Sequence, residues 1–157
     1  EQHPGSYMMD EKKISKIKAR LLSHLKDEVY CQLKASPIHG VGVYAIRPIP
    51  AEANPMRLVK KQREIRFSFE DLAEVHPGVM EQMKRFCFYD DDGVLVSTLG
   101  LNTMNFLFYV NHSKTPNITL KNDGSARALR DIETGEELTI DYDQEFGEEH
   151  DFSDQQS

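Results

Sequence analysis

The segment from Asn105 to Tyr142 reads NFLFYVNHSKTPNITLKNDGSARALRDIETGEELTIDY, and its reading decides the fold. Two polar clusters stand in it about 25 residues apart. The first is Asn111-His112-Ser113-Lys114-Thr115-Pro116-Asn117; the second is Gly135-Glu136-Glu137, leading through Leu138-Thr139-Ile140 to Asp141-Tyr142. Between them Ile118-Thr119-Leu120-Lys121 has the β-branched character of a strand and is followed by a turn. Polar groups gathered at two points on apolar strands mark a site rather than a core.

The chain has 157 residues, 39% of them hydrophobic, enough for one domain with a real core. Its net charge is -7 and its mean hydropathy -0.56. No apolar run approaches the ~20 residues that cross a bilayer, and no secretory segment is visible, so a membrane role is not expected. The acidic balance argues against direct nucleic-acid binding, which needs Lys and Arg to displace counterions. A basic peptide is the more natural partner. Cys31 and Cys87 stand far apart, without the spacing of a zinc site or a disulfide framework, and read as reduced, buried or half-buried thiols. Asn117-Ile118-Thr119 matches a glycosylation sequon, a reading the lack of a signal peptide disfavours.

Residues 1–9 carry Pro4, Gly5 and Ser6 without periodicity and read as a flexible start. Residues 10–28 read as an amphipathic N-terminal helix, with Ile14, Ile17, Leu21, Leu22 and Leu25 on one stripe and lysines mostly on the other faces. The simpler expectation is that this helix packs on the following domain; the alternative is an arm that contacts a partner or a nucleosome. Strands are predicted at 29–35 and 41–47, joined by a turn at 36–40 and ended by Pro48 and Pro50. One or two short strands are predicted within 56–67, then an N-capped helix from Ser68 with Phe69, Leu72 and Ala73 on its apolar side. Pro77 opens a second short helix. Asp90-Asp91-Asp92-Gly93 is a turn before a strand at 94–97. Residues 48–104 thus read as a variable insertion in a domain spanning 29–142. Residues 143–157 form an acidic tail whose only large apolar residues are Phe146 and Phe152, either of which is a candidate to order over the site. Solvated surface is the simpler reading of the acidic stretches 90–92 and 145–151, with steering of a basic peptide the alternative.

The two clusters, with the upstream turn His39-Gly40-Val41-Gly42-Val43-Tyr44-Ala45, resemble in order and spacing the signature motifs of SET-domain protein lysine methyltransferases. Each motif alone is common; the three together, over roughly residues 30–142, are specific. The resemblance implies a mainly β fold with short helices, a β-rich α+β arrangement of several small sheets with a knot-like crossing near the C-terminus. It further implies methyl transfer from S-adenosylmethionine to a lysine of a protein substrate, a histone tail by family frequency, without a metal. The corresponding location is intracellular, the nucleus before the cytoplasm. A reading from a different class is a catalytically silent module of the same fold that binds a basic peptide; intact Gly40, Gly42, Asn111, His112 and Tyr142 favour the enzyme.

On this resemblance Tyr142 is the catalytic residue, its hydroxyl orienting the target nitrogen and stabilising developing charge. His39, Gly40, Val41, Gly42, Asn111 and His112 are the cofactor-binding positions, with Gly40 and Gly42 expected to let the backbone approach the cofactor where a Cβ would collide. Tyr109, Leu120 and Ile140 are expected to line the substrate channel with Tyr142. A free lysine has a pKa of about 10.4, so the channel must favour the neutral amine, as apolar walls and a nearby sulfonium do. Ile140 and Leu120 occupy the positions of the family's hydroxyl-bearing switch, which implies di- or trimethylation unless Tyr109 or Tyr89 supplies the hydroxyl. A hydrolase triad of Ser113, His112 and Asp141 is disfavoured, because adjacent side chains diverge on an extended backbone. The chain departs from the family in Phe108-Tyr109 where Arg-Phe is usual, in Lys114 where a zinc-binding Cys is common, and in Glu52-Ala53 where a glycine is usual.

Overall fold

The computed structural model describes residues 10–147. The expectations for residues 1–9, for Phe152 and for the tail beyond 147 lie outside the described residues. Helix α1, Glu11–Asp27, starts where the Asp10 carboxylate accepts the Lys12 amide at 3.0 Å. Its apolar stripe does not pack on the domain, which corrects the simpler expectation: Ile14, Ile17, Leu21, Leu22 and Leu25 are 40% to 65% exposed. Polar contacts hold the helix at its C-terminal end instead. Arg20 pairs with Glu28, whose carboxylate also takes Arg57 at 3.4 Å, and Arg47 donates to the Lys26 carbonyl at 2.9 Å.

Among the described residues the remaining elements are strands β1 Cys31–Ala35, β2 Val41–Ala45 and β3 Glu64–Phe67, helix α2 Pro77–Phe86, and strands β4 Tyr89–Asp90 and β5 Gly93–Ser97. A 3-10 turn at Phe106–Tyr109 precedes β6 Asn111–His112, β7 Ile118–Leu120, β8 Ala126–Ala128, β9 Glu137–Ile140 and helix α3 Tyr142–Phe146. They form three small sheets, ordered β1-β2-β9-β6, β3-β5-β4 and β7-β8. This is the expected mainly β architecture with short helices. β1 and β2 are antiparallel, and the turn between them closes through the Ser36 amide on the Gly40 carbonyl at 2.8 Å, with Gly40 at φ 45°. A positive φ of this kind costs glycine little and other residues more.

Strand β9 runs between β2 and β6, and its Leu138, Thr139 and Ile140 are all buried. A strand covered on both faces explains the unbroken run of buried side chains. Val43, Ile49, Val110, Ile118, Ile132 and Leu138, each at most 1% exposed, form the heart of the core around it. A separate small core of Leu72, Met83 and Val94 sits under β3–β5 and α2. Within the insertion, the turn at Asp91-Asp92 joins β4 to β5 as expected, while 56–63 holds no strand.

The helix predicted from Ser68 is only a run of turns. Ser68 and Asp71 cap each other, at 3.0 and 3.1 Å, but Leu72, Ala73 and Val75 bond three residues back, and α2 begins at Pro77 before an α-helix can propagate. The first residues of the tail, read from sequence as solvated, form α3.

Candidate active site

The two polar clusters meet because β6 runs parallel to β9, with Asn111 opposite Thr139 and His112 opposite Ile140. Asn117 fastens the pair. Its amide donates to the Glu137 carbonyl at 2.8 Å, its side-chain oxygen accepts from the Thr139 amide at 2.8 Å, and it is 3% exposed. A buried and doubly bonded Asn117 cannot be a glycan acceptor, which disposes of the sequon.

Asn111, 7% exposed, turns its side-chain nitrogen toward the glycine turn. That nitrogen donates to the carbonyls of His39 at 3.0 Å and Val41 at 3.4 Å, and to the Glu137 carboxylate at 2.9 Å. The expected cofactor-binding set is therefore one contiguous unit, with His39 and Val41 entering through backbone oxygens while their side chains are exposed. Within the chain itself, a Cβ on Gly40 would meet nothing within 4 Å, and its φ of 45° favours glycine; a Cβ on Gly42 would lie 2.1 Å from Glu137 Oε1.

Tyr142 opens α3, with its amide donating to His112 Nδ1 at 3.0 Å and its hydroxyl donating to the Val110 carbonyl. Its ring lies 5.3 Å from that of His112 and 5.9 Å from that of Phe146, in a tilted and an edge-on arrangement. Among the described residues, Phe146 is a tail aromatic that reaches Tyr142. Burial pushes the Tyr142 phenol up to about 12, so at neutral pH it is a protonated hydrogen-bond donor and not a base. The hydrolase triad is excluded by the same contacts. His112 Nδ1 is taken by a backbone amide, Ser113 Oγ bonds within its own turn to Thr115, and Asp141 caps α3 through the amides of Asp143 and Gln144.

Among the described residues, His112, Asp141 and Asp143 bring ligand atoms within 4.8 Å of one another. The Lys114 ammonium already bonds both carboxylates, at 3.5 Å to Asp141 and in closer contact with Asp143. The lysine thus brings a positive charge to this acidic cluster. Of the expected channel residues, Ile140 is 2% exposed in the main core, and Tyr109, Leu120 and Tyr142 are half-buried against it. The Tyr109 hydroxyl turns to Met104 Sδ at 3.7 Å and its ring packs 5.9 Å from Phe86.

The SET-domain family model matches residues 40–143, a span that takes in the glycine turn, both polar clusters and Tyr142. The chain belongs to the SET-domain family. It is 34% identical over 114 residues to a histone-lysine N-methyltransferase of Aspergillus oryzae, H3 lysine-4 specific, covering 68% of this chain and 9% of the relative. It is 32% identical over 108 residues to a histone-lysine N-methyltransferase of Schizosaccharomyces pombe, H3 lysine-37 specific, covering 66% of each. The chain thus spans only about a tenth of the length of the H3 lysine-4 relatives it matches. A humanized mutant of Chaetomium thermophilum Polycomb Repressive Complex 2 is 24% identical with a TM-score of 0.47, over 76% of this chain and 15% of that one.

Three residues of this SET domain's site carry no role in the sequence reading. Glu137 was quoted only as part of a motif, yet its carboxylate gathers Asn111, Ser36 and Tyr44. Glu145 of α3 accepts from Thr119 Oγ1 and, at 3.2 Å, from the Leu120 amide, tying α3 to β7. Asn117 stands in the first polar cluster and in a disfavoured sequon, and neither reading points to its bonds with β9. The signal that was there to find is an acid opening a buried strand, with no basic residue beside it.

Proposed function

We propose that this SET domain is an S-adenosylmethionine-dependent protein lysine methyltransferase, and that its substrate is a histone tail, H3 being the one named for its relatives. The observation that carries the reading is the parallel pairing of Asn111-His112 with Thr139-Ile140, which leads the chain on to Tyr142, whose amide reaches His112 Nδ1 at 3.0 Å, so that Asn111 and Tyr142, 31 positions apart, belong to one site. A histone substrate goes with a nuclear location. No helix among the described residues is long and apolar enough to cross a membrane.

The donor set fits S-adenosylmethionine at one specific atom. Asn111 Nδ2 has three acceptors within the protein, while among the described residues no donor reaches Oδ1 of the same amide. That oxygen, beside the exposed His39–Gly40 backbone, is free to accept from an ammonium. A charge-assisted hydrogen bond from a cationic ligand to that oxygen would be stronger than one between neutral groups. The cofactor would be held by Asn111 and the glycine turn, and would supply a methyl group on a positively charged sulfur.

The remaining work falls to the chain's own residues. Tyr142, neutral and fixed at both amide and hydroxyl, presents a rigid phenol edge with no conformational search. Beside the rings of His112, Tyr142 and Phe146 an entering lysine would lose water, and that desolvation raises the fraction of neutral amine. Labelled methyl transfer onto a histone mixture tests the proposal. Incorporation into lysine supports it, while S-adenosylmethionine binding without transfer to any histone would favour the silent module.

A further inference from the structure

Glu137 has a half-buried carboxylate with an unusual set of partners. Oε1 accepts from Asn111 Nδ2 at 2.9 Å and from Ser36 Oγ at 2.7 Å; Oε2 accepts from Ser36 Oγ at 3.0 Å and from the Tyr44 hydroxyl at 3.2 Å. Among the described residues no Lys, Arg or His stands at ion-pair distance from it. All its partners are neutral, and each belongs to a different part of the site. Ser36 heads the glycine turn and holds the Ile38 amide at 3.0 Å; Tyr44 lies opposite Glu137 across the β2–β9 pair; Asn111 starts β6.

A primary amide can be turned over by exchanging its oxygen and nitrogen, and only its partners decide which way it sits. The carbonyls of His39 and Val41 draw the Asn111 nitrogen inward, but the Val41 contact is long, at 3.4 Å. The charged Glu137 oxygen is the strongest acceptor facing that nitrogen, and it would repel an amide oxygen placed there. We propose that Glu137 is a positioning residue: it locks the Asn111 amide with the nitrogen inward, so that the Asn111 carbonyl faces the ligand.

The inference rests on the cofactor site proposed above, and it makes a demand that a general structural role does not. Glu137 acts through Asn111, so the two should not contribute independently to cofactor affinity.

The test is calorimetric titration of S-adenosylmethionine and S-adenosylhomocysteine against the parent, Glu137→Ala, Glu137→Gln, Asn111→Ala and the double variants, with thermal melts alongside. Glu137→Ala is expected to weaken both ligands tenfold or more. Glu137→Gln, whose carbonyl can still accept from Asn111, is expected to recover to within a few-fold of the parent. In the Asn111→Ala background neither substitution should weaken binding by more than about twofold. KM for the cofactor should rise in Glu137→Ala while kcat at saturation stays within a few-fold. Losses that multiply between Asn111→Ala and Glu137→Ala overturn the proposal, as does a Glu137→Gln variant as weak as Glu137→Ala. If Glu137→Ala does not fold, Glu137→Gln decides: a loss of more than about twofold in the Asn111→Ala background overturns it. A parent that binds neither ligand overturns the cofactor site itself, an outcome distinct from a parent that binds both and is indifferent to position 137.

Discussion

Gly42→Ala places a methyl group where Glu137 now sits. An ideal Cβ would lie 2.1 Å from Glu137 Oε1, 2.9 Å from its Cδ and 3.0 Å from Ser36 Cβ. The carboxylate ends a flexible side chain, so it moves and the strands stay. In moving it gives up contacts to Asn111 at 2.9 Å, Ser36 at 2.7 Å and Tyr44 at 3.2 Å. Hydrogen bonds to charged groups contribute about 1.5–3 kcal/mol each, and water at this half-buried position offsets much of the sum, leaving a net cost of about 2–4 kcal/mol. In a domain of this size about 1 kcal/mol shifts Tm by roughly 2–4 °C, so a fall of about 4–16 °C is expected. Thermal and denaturant unfolding of the parent, Gly42→Ala, Glu137→Ala and the double variant measures it. The double variant carries the sharper expectation, because removing the Glu137 side chain removes the object struck. Gly42→Ala should then add little, and the two costs should overlap instead of summing. A Gly42→Ala protein within about 0.5 kcal/mol of the parent, or one whose penalty is undiminished without Glu137, would refute the collision as the reason for this glycine.

Tyr142→Phe should keep the fold and cofactor binding and lose methyl transfer by about 100-fold or more, the scale of one lost transition-state donor; activity within a few-fold of the parent would show the hydroxyl to be dispensable. The same variant should alter alkaline stability. The Tyr142 phenol, raised to about 12 against an ordinary value of about 10, contributes stability that is complete below pH ~10 and lost as pH rises toward 12, so the parent's decline in that window should be shallower in Tyr142→Phe. Asn111→Ala should raise the dissociation constant for S-adenosylmethionine by about 5- to 150-fold, from the 1–3 kcal/mol of a lost buried partner, with little change in peptide KM. Cys31, buried, donating to the Pro55 carbonyl at 3.5 Å and pushed up to about 12 by burial, should resist alkylation at pH 8 in the native state, while half-buried Cys87 reacts sooner; equal rates by mass spectrometry would contradict this. Product analysis with excess cofactor should reach di- or trimethyl-lysine, since Ile140 and Leu120 bear no hydroxyl and Tyr109 directs its own to Met104; arrest at monomethyl-lysine would point to Tyr109 or Tyr89.

Much of the fold was legible because strands, turns and the helix at Pro77 carry local signals. Gly93 after three aspartates, Pro77 at a first turn and the β-branched run at Ile118 each act within a few residues. Two readings failed where the outcome is not local. The stripe of α1 has the spacing of a packed helix, yet periodicity says which side chains share a face and nothing about whether a surface is there to receive them. Ser68 and Asp71 form the caps of a helix that the chain has no room to build before Pro77, because nucleation spends its cost only if several further bonds follow.

At the site, a contact across chain distance is what the sequence hides. Gly42 is expected to let a ligand approach; the structure adds that a carboxylate from 95 positions away stands where its Cβ would be. That role follows from register. Tyr44 faces Glu137 and Val43 faces Leu138 across the β2–β9 pair, and shifting that register by one residue would send the Glu137 side chain to the opposite face of the sheet. Asn111 would then keep only the carbonyls of His39 and Val41 as partners, and Gly42 would tolerate a methyl group. The glycine, the acid and the amide are thus one device, readable only once the strands are paired: Leu138, buried completely against the core, fixes the register, and the register delivers Glu137 to Asn111.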